Sequence, residues 1–129
     1  MIKFKSEEIF LEKKSEDIFN KMIDLRNFKE LIPSEVKNFV CDKDNCSFNY
    51  MHFPEIKLTV SEKKKFSRVS LTSTKGLVPF VMSCNINEKN NKSKVYLEVN
   101  AELNIIFKKL AEKSVNKLLN SLVNNIKNL

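Results

Sequence analysis

Between Val36 and Leu103 the apolar residues of this chain recur mostly at every second position; beyond Leu103 they recur at every third or fourth. That one change of period constrains the fold more than any motif in it. A period of two sends alternate side chains to opposite faces of a strand, and a period near 3.6 lays one apolar stripe along a helix. The cleanest alternation is "KVYLEVNAEL", where Val95, Leu97, Val99, Ala101 and Leu103 oppose Tyr96, Glu98, Asn100 and Glu102. Upstream, "VKNFVC", "CSFNYMHF", "EIKLTVSEK", "FSRVSLTST" and "PFVMSCNINE" read as five more strands. "DKDN" and "NNKS" supply turns through Asp and Asn, in a chain with a single glycine. After the last strand come Ile106, Phe107, Leu110, Ala111, Val115, Leu118, Leu119, Leu122, Val123 and Ile126, the stripe of one long helix. Its other face carries Lys108, Lys109, Lys113 and Lys117.

Ahead of these strands, residues 2–13 read as one strand with Ile9 and Leu11 on a common face. Ser15 has the character of a helix N-cap, with Glu16 and Asp17 in the first turn. The stretch "DLRNFKELIP" reads as a second short helix, with Asn27 capping it and Pro33 ending it. Leu25, Phe28 and Leu31 or Ile32 have the spacing to seat this corner on the end of a sheet. The order is then strand, two short helices, six strands and one long helix. Consecutive strands joined by short turns pair antiparallel with their sequence neighbours. Such a sheet has one apolar face, and only the C-terminal helix is long enough to cover it. The expected architecture is α+β: a curved antiparallel sheet of about seven strands wrapped on the long helix, as a single domain over 1–129.

The apolar share of 42%, with ten Phe, suffices for one sizeable core in 129 residues. No apolar run approaches the ~18 residues of a membrane span, and the charged opening "MIKFKSEEIFLEKK" has no signal-peptide core. With three cysteines, an odd number, this suggests reduced thiols and a soluble, cytoplasmic protein. The net charge of +7 allows an acidic partner. Arg26 and Arg68 are the only arginines, however, and arginine makes most forked contacts to bases and phosphates, so nucleic acid is a poor candidate.

The chemistry-bearing residues are few. Cys41, Cys46, Cys84 and His52 lack the spacing of a zinc site, and no metal or cofactor is expected. Tyr50 and His52 share one parity on a strand and are the only candidates for a catalytic pair. Arg68 has the outward parity of its strand. Arg26, at the junction of the short helices, could clamp a ligand carboxylate. The remaining functional surface is apolar. Strand and helix parity place Phe48, Tyr50, Leu58, Leu71, Phe80, Met82, Leu97, Val99, Phe107 and Leu110 on the inner apolar face, with Arg26 at the corner beside it.

Three stretches carry a family resemblance. "SEDIFNKMIDLRNFKELIP" resembles the helix pair after the first strand of the START-like, or SRPBCC, superfamily. "CDKDNCSF" is similar to the hairpin that follows in small bacterial members, and "VNAELNIIFKKLAEKSVNKLLNSLV" to their last strand running into the gripped helix. Such members often carry glycines near the third strand, where this chain has "MHFPEIKL". The resemblance covers the whole chain and implies a helix-grip fold with a cavity between sheet and helix, where the inner-face residues named above would line a ligand and Arg26 would stand at the rim. In that superfamily the cavity takes lipids, sterols, polyketides, quinones or hormones, and some members are cyclases or aromatases. The implied function is a small soluble protein that binds an apolar or amphipathic molecule such as a lipid, polyketide or quinone. The alternatives are a cyclase-type enzyme using Tyr50 and His52, or a basic module in peripheral contact with an anionic membrane through Lys63, Lys64, Lys65 and the helix.

Overall fold

The computed structural model describes all of residues 1–129. In chain order the elements are β1 (Ile2–Lys5), β2 (Ile9–Leu11), α1 (Ser15–Met22), a 3-10 helix (Leu25–Glu30), β3 (Val36–Cys41), β4 (Asn45–Tyr50), β5 (Ile56–Lys64), β6 (Arg68–Lys75), β7 (Phe80–Lys89), β8 (Lys92–Ala101), α2 (Ile105–Asn125) and a closing 3-10 turn (Ile126–Asn128). One sheet runs in the order β1-β8-β7-β6-β5-β4-β3, with β2 also paired to β8. Every pairing is antiparallel. The β7–β8 hairpin turns through Asn90 and Asn91, both at positive φ (56° and 63°), a conformation asparagine tolerates better than most residues.

The sheet curls because its ladders are interrupted. The expected first strand is two strands: Lys5 faces Glu98 but Ile9 faces Val95, so four steps on one chain span three on the other. Buried Ser6 fills the gap. Its N–H donates to the Leu97 carbonyl, and its Oγ accepts from the Leu97 N–H, both at 2.8 Å. The extra residue reverses the side-chain parity, so Phe4 and Ile9 both point inward while Phe10 is 74% exposed. A second bulge lies in β3, where Asn38 takes φ 56°, and a third in β5 between Val60 and Glu62. Each adds local right-handed twist.

Two capping expectations are corrected. Ser15 is the first residue of α1 and not its cap; its N–H donates to the Glu88 carboxylate at 2.6 Å, an anion from a neighbouring hairpin at the positive helix end. The 3-10 helix is capped by Asp24, which accepts from the Arg26 N–H at 3.0 Å. Asn27 instead donates through Nδ2 to the Lys21 carbonyl, closing the end of α1.

The convex face of the sheet is polar: Arg68 pairs with Glu62 there, and Asn85 with Ser83. The concave face and α2 form one core cluster. The grip is uneven. Leu119, Leu122, Val123 and Ile126 are buried, and at that end α1 and the 3-10 helix add Met22, Leu25, Phe28 and Leu31. The first turns of α2 have no such filler. Ile106, Phe107 and Leu110, placed on the buried stripe by their spacing, are 68%, 46% and 75% exposed.

Candidate functional site

The uneven grip leaves a cavity of about 550 Å³ under the first half of α2. Packed interiors contain few voids larger than a water molecule, so this volume is not a packing defect. It lies in the size range of small-molecule sites. Of the 29 residues that line it, 26 are hydrophobic, and none is Asp, Glu, Lys or Arg. The floor comes from alternate inward positions of the strands: Cys46, Phe48 and Tyr50 on β4, Ile56 and Leu58 on β5, Phe80 and Met82 on β7, Val99 and Ala101 on β8. Phe107, Leu110, Ala111, Val115 and Leu118 of α2 form the roof. The mouth is framed by residues 51–54, by Leu77 and Val78, and by the start of α2.

Polar groups on the lining are confined to one side. Tyr50 donates its hydroxyl to the Ser114 carbonyl at 2.7 Å. Its ring stacks on Phe53 at 6.0 Å, and burial raises its pKa above the ordinary value. The phenol oxygen keeps lone pairs free to accept a further hydrogen bond. His52 stands two residues on, exposed at the mouth. One turn along α2 from Ser114, Lys117 pairs with Glu35 at 2.8 Å, and that charge is neutralised outside the cavity. Met51 takes φ 50°, a left-handed conformation costing about 1–2 kcal/mol for a residue with a Cβ. The strained backbone at Met51 carries its side chain to the lip of the cavity.

Of the residues expected to line a ligand, Phe48, Tyr50, Leu58, Phe80, Met82, Val99, Phe107 and Leu110 are together around the cavity. Leu71 and Leu97 are not. They face the sheet end closed by Met22, Phe28, Leu31 and Ile126, where only about 10 Å³ remains free. Parity places them on the inner face correctly, but the short helices fill the space above them. Arg26 is also absent from the lining. Its guanidinium makes a forked pair with Asp24, with contacts of 2.7–3.2 Å, and is 63% exposed. A charge two residues away, within reach of the side chain, satisfies it locally. The pair holds the Asp24 carboxyl down at about 2, chiefly through the Arg26 hydrogen bond.

Several lining residues were not anticipated. Phe4 enters through the β1–β2 bulge, and Met51, Phe53 and Leu77 through loop geometry. A periodicity argument sees neither. The thiols form no site: all three are free, Cys41 faces Cys46 across the β3–β4 hairpin, and Cys84 lies on β7. No group of three His, Cys, Asp or Glu side chains is arranged to hold a metal ion. No helix is long and apolar enough to cross a membrane.

One curved antiparallel sheet, closed by a single C-terminal helix over an apolar cavity, defines the helix-grip class of α+β domains. Within that class the chain carries the START-like (SRPBCC) fold. Solved structures of the same architecture bear this out. A START superfamily protein from Mycobacterium smegmatis aligns over 98% of this chain and 94% of its own, with TM-score 0.69 at 10% identity. The protein XoxI from Bacillus cereus aligns over 99% and 94%, with TM-score 0.73 at 8% identity. A Thermus thermophilus protein aligns over 98% and 95%, with TM-score 0.70 at 18% identity. At such identities the likeness is one of fold. No family model and no curated protein matches the sequence.

Proposed function

We propose that this chain binds a small, uncharged, largely apolar molecule with one polar group, held between the sheet and α2. The observation that carries the reading is the lining: about 550 Å³ of space, 26 hydrophobic residues of 29, and no Asp, Glu, Lys or Arg. A charged group buried there would have no counter-ion, a cost of several kcal/mol. A hydroxyl or carbonyl has partners at Tyr50 and His52. Phe48, Leu58, Phe80, Met82, Val99, Phe107 and Leu110 supply the apolar contact, and Arg26, Leu71 and Leu97 take no part. Lipid alcohols have this chemistry, quinones and polyketides approach it when their oxygens lie toward Tyr50 and His52, and a START-like fold is compatible with each.

Displacement of Nile red by a series of 1-alkanols tests the reading. Each methylene removed from water contributes ~0.8 kcal/mol, so affinity rises about fourfold per carbon until the cavity is full. An alkanoate of equal length binds at least tenfold more weakly than the alcohol. Equal affinity for the two, or no rise with chain length, overturns the proposal. Native mass spectrometry of protein purified from its own host then identifies the cargo.

A cyclase-type reading has one observation in its favour, since Tyr50 and His52 line the same cavity. It stands second because His52 is exposed and no carboxylate lines the cavity to orient it. Loss of a product-forming activity on a polyketide substrate in His52→Gln, with substrate binding unchanged, would raise it above the first.

A further inference from the structure

Exposed apolar side chains are concentrated around the cavity mouth. Of nine large hydrophobics that stand exposed, six are Met51, Leu77, Ile105, Ile106, Phe107 and Leu110. They come from three segments far apart in sequence: the β4–β5 connection, the β6–β7 connection and the first turns of α2. Four of them also line the cavity, so the exposed lip and the internal wall are one continuous apolar surface. The start of α2 is amphipathic, and its apolar stripe is only partly covered. Phe107 and Ala111 face the cavity, while Ile105, Ile106 and Leu110 are 67–75% exposed. An apolar stripe of this kind is normally covered along its whole length. Contiguous exposed apolar surface of this sort marks an interaction site.

The charge beside the lip says what covers it. Lys108, Lys109 and Lys113 lie within the same turns, where Glu112 is the only acid between Ile105 and Lys117. Lys117 alone of these lysines is engaged in an ion pair, with Glu35. A second copy of the chain would bring an equally basic lip against this one, on a protein of net charge +7. An anionic bilayer offers the opposite: acidic headgroups for the lysines, and an acyl boundary for Ile105, Ile106, Leu110, Leu77 and Met51.

We infer that the cavity mouth docks on a membrane surface containing anionic phospholipid, with the first turns of α2 and the two flanking loops at the acyl boundary. In this pose the cavity opens toward the acyl chains, and an apolar cargo passes between bilayer and protein without crossing water. The role of the docking rests on the binding function proposed above; the docking itself does not. Lys63, Lys64 and Lys65 are not part of this surface. They close the far end of β5, eight strand residues beyond Ile56, roughly 25 Å from the mouth at ~3.3 Å per residue.

Co-sedimentation with vesicles tests the inference. The chain binds vesicles of phosphatidylcholine with 30% phosphatidylserine at least tenfold more tightly than phosphatidylcholine alone (about 30% being a conventional anionic fraction), and added salt weakens binding. Lys109→Glu with Lys113→Glu lowers vesicle affinity tenfold or more, as does Ile106→Ser with Leu110→Ser. The distal pair Lys64→Glu with Lys65→Glu leaves it unchanged. All these positions are exposed, and circular dichroism checks the fold. Nile red affinity stays at the wild-type level in both lysine pairs, so a failure of cargo binding is read separately from a failure of docking. No preference for anionic vesicles overturns the inference, as does equal loss in the distal pair. So does a concentration-dependent dimer in solution that the Ile106 and Leu110 changes abolish, because a second copy would then cover the lip.

Discussion

The hydroxyl of Tyr50 on β4 reaches 2.7 Å from the backbone carbonyl of Ser114 in the middle of α2. This contact bolts the roof of the cavity to its floor at the boundary between the packed and the hollow half of the molecule. Tyr50→Phe keeps the ring against Phe53 and loses the bolt. A hydrogen bond of this kind contributes ~1 kcal/mol net, and urea denaturation is expected to show that loss. Alkanol affinity falls more than Nile red affinity; equal losses would mean that the phenol does not read the cargo. Burial keeps Tyr50 protonated past its ordinary pKa of 10.0. Its contribution is therefore present below pH 10.0 and is lost as pH rises through the folded-state value. Phenolate absorbance should show a late ionisation that Tyr50→Phe removes.

Ala111 sits on the roof of the cavity, and a larger side chain there has space to enter. Ala111→Phe is expected to fill the site, lowering Nile red affinity at least tenfold. Because the added ring meets empty volume, the cost falls below the ~1–3 kcal/mol typical of overpacking a filled core. Retained dye binding would place the dye elsewhere on the protein.

Leu110 and Leu119 lie on the same helix in opposite circumstances, 75% and 1% exposed. Leu119→Ala should cost ~2–5 kcal/mol, the range for a truncated core leucine. Leu110→Ala should stay within about 0.5 kcal/mol. Denaturant midpoints decide it, and similar costs at both sites would mean that α2 is gripped along its whole length.

The Arg26–Asp24 pair shapes a corner and leaves cargo binding alone. Arg26→Ala should leave alkanol affinity unchanged while the Asp24 carboxyl, held at about 2 by the Arg26 hydrogen bond, returns toward 3.8. The lowered value means that the pair stabilises the fold above pH 3.8 and that its contribution disappears as pH falls through about 2. Carboxyl NMR titration follows both.

Burial pushes the Cys46 and Cys84 thiols up to about 12. Thiolate is the reactive form, so iodoacetamide at about pH 8 should alkylate half-buried Cys41 alone in the native protein and all three cysteines in urea. The raised values stabilise the fold below pH 9.0, and that contribution is lost as pH climbs from 9.0 toward about 12. Mass spectrometry counts the labels, and rapid labelling of Cys84 would show that β7 opens.

Much of this architecture is legible in period alone. Val95, Leu97, Val99 and Ala101 face inward because a strand has two faces and only one is covered. The helix after Leu103 is equally plain, as is the corner at Leu25, Phe28 and Leu31, since each depends on neighbours three or four residues away. Within an uninterrupted strand, the side of the sheet on which a residue falls was therefore a local matter. Which inward residues border empty space was not. Leu71 and Met82 pair across β6 and β7 and read identically in sequence, yet Met82 reaches the cavity and Leu71 does not. The difference is set by α1 and the 3-10 helix, which fill one end of the grip and leave the other hollow. Phe4 escaped a parity argument because one extra residue at Ser6 reversed the register, and a bulge is paid for by a partner strand 91 residues away. Arg26 was drawn from the rim by an aspartate beside it, a competition that only distances reveal. Local sequence thus determined the faces of the elements; long-range packing alone determined where the core stops and the cavity, with its exposed lip, begins.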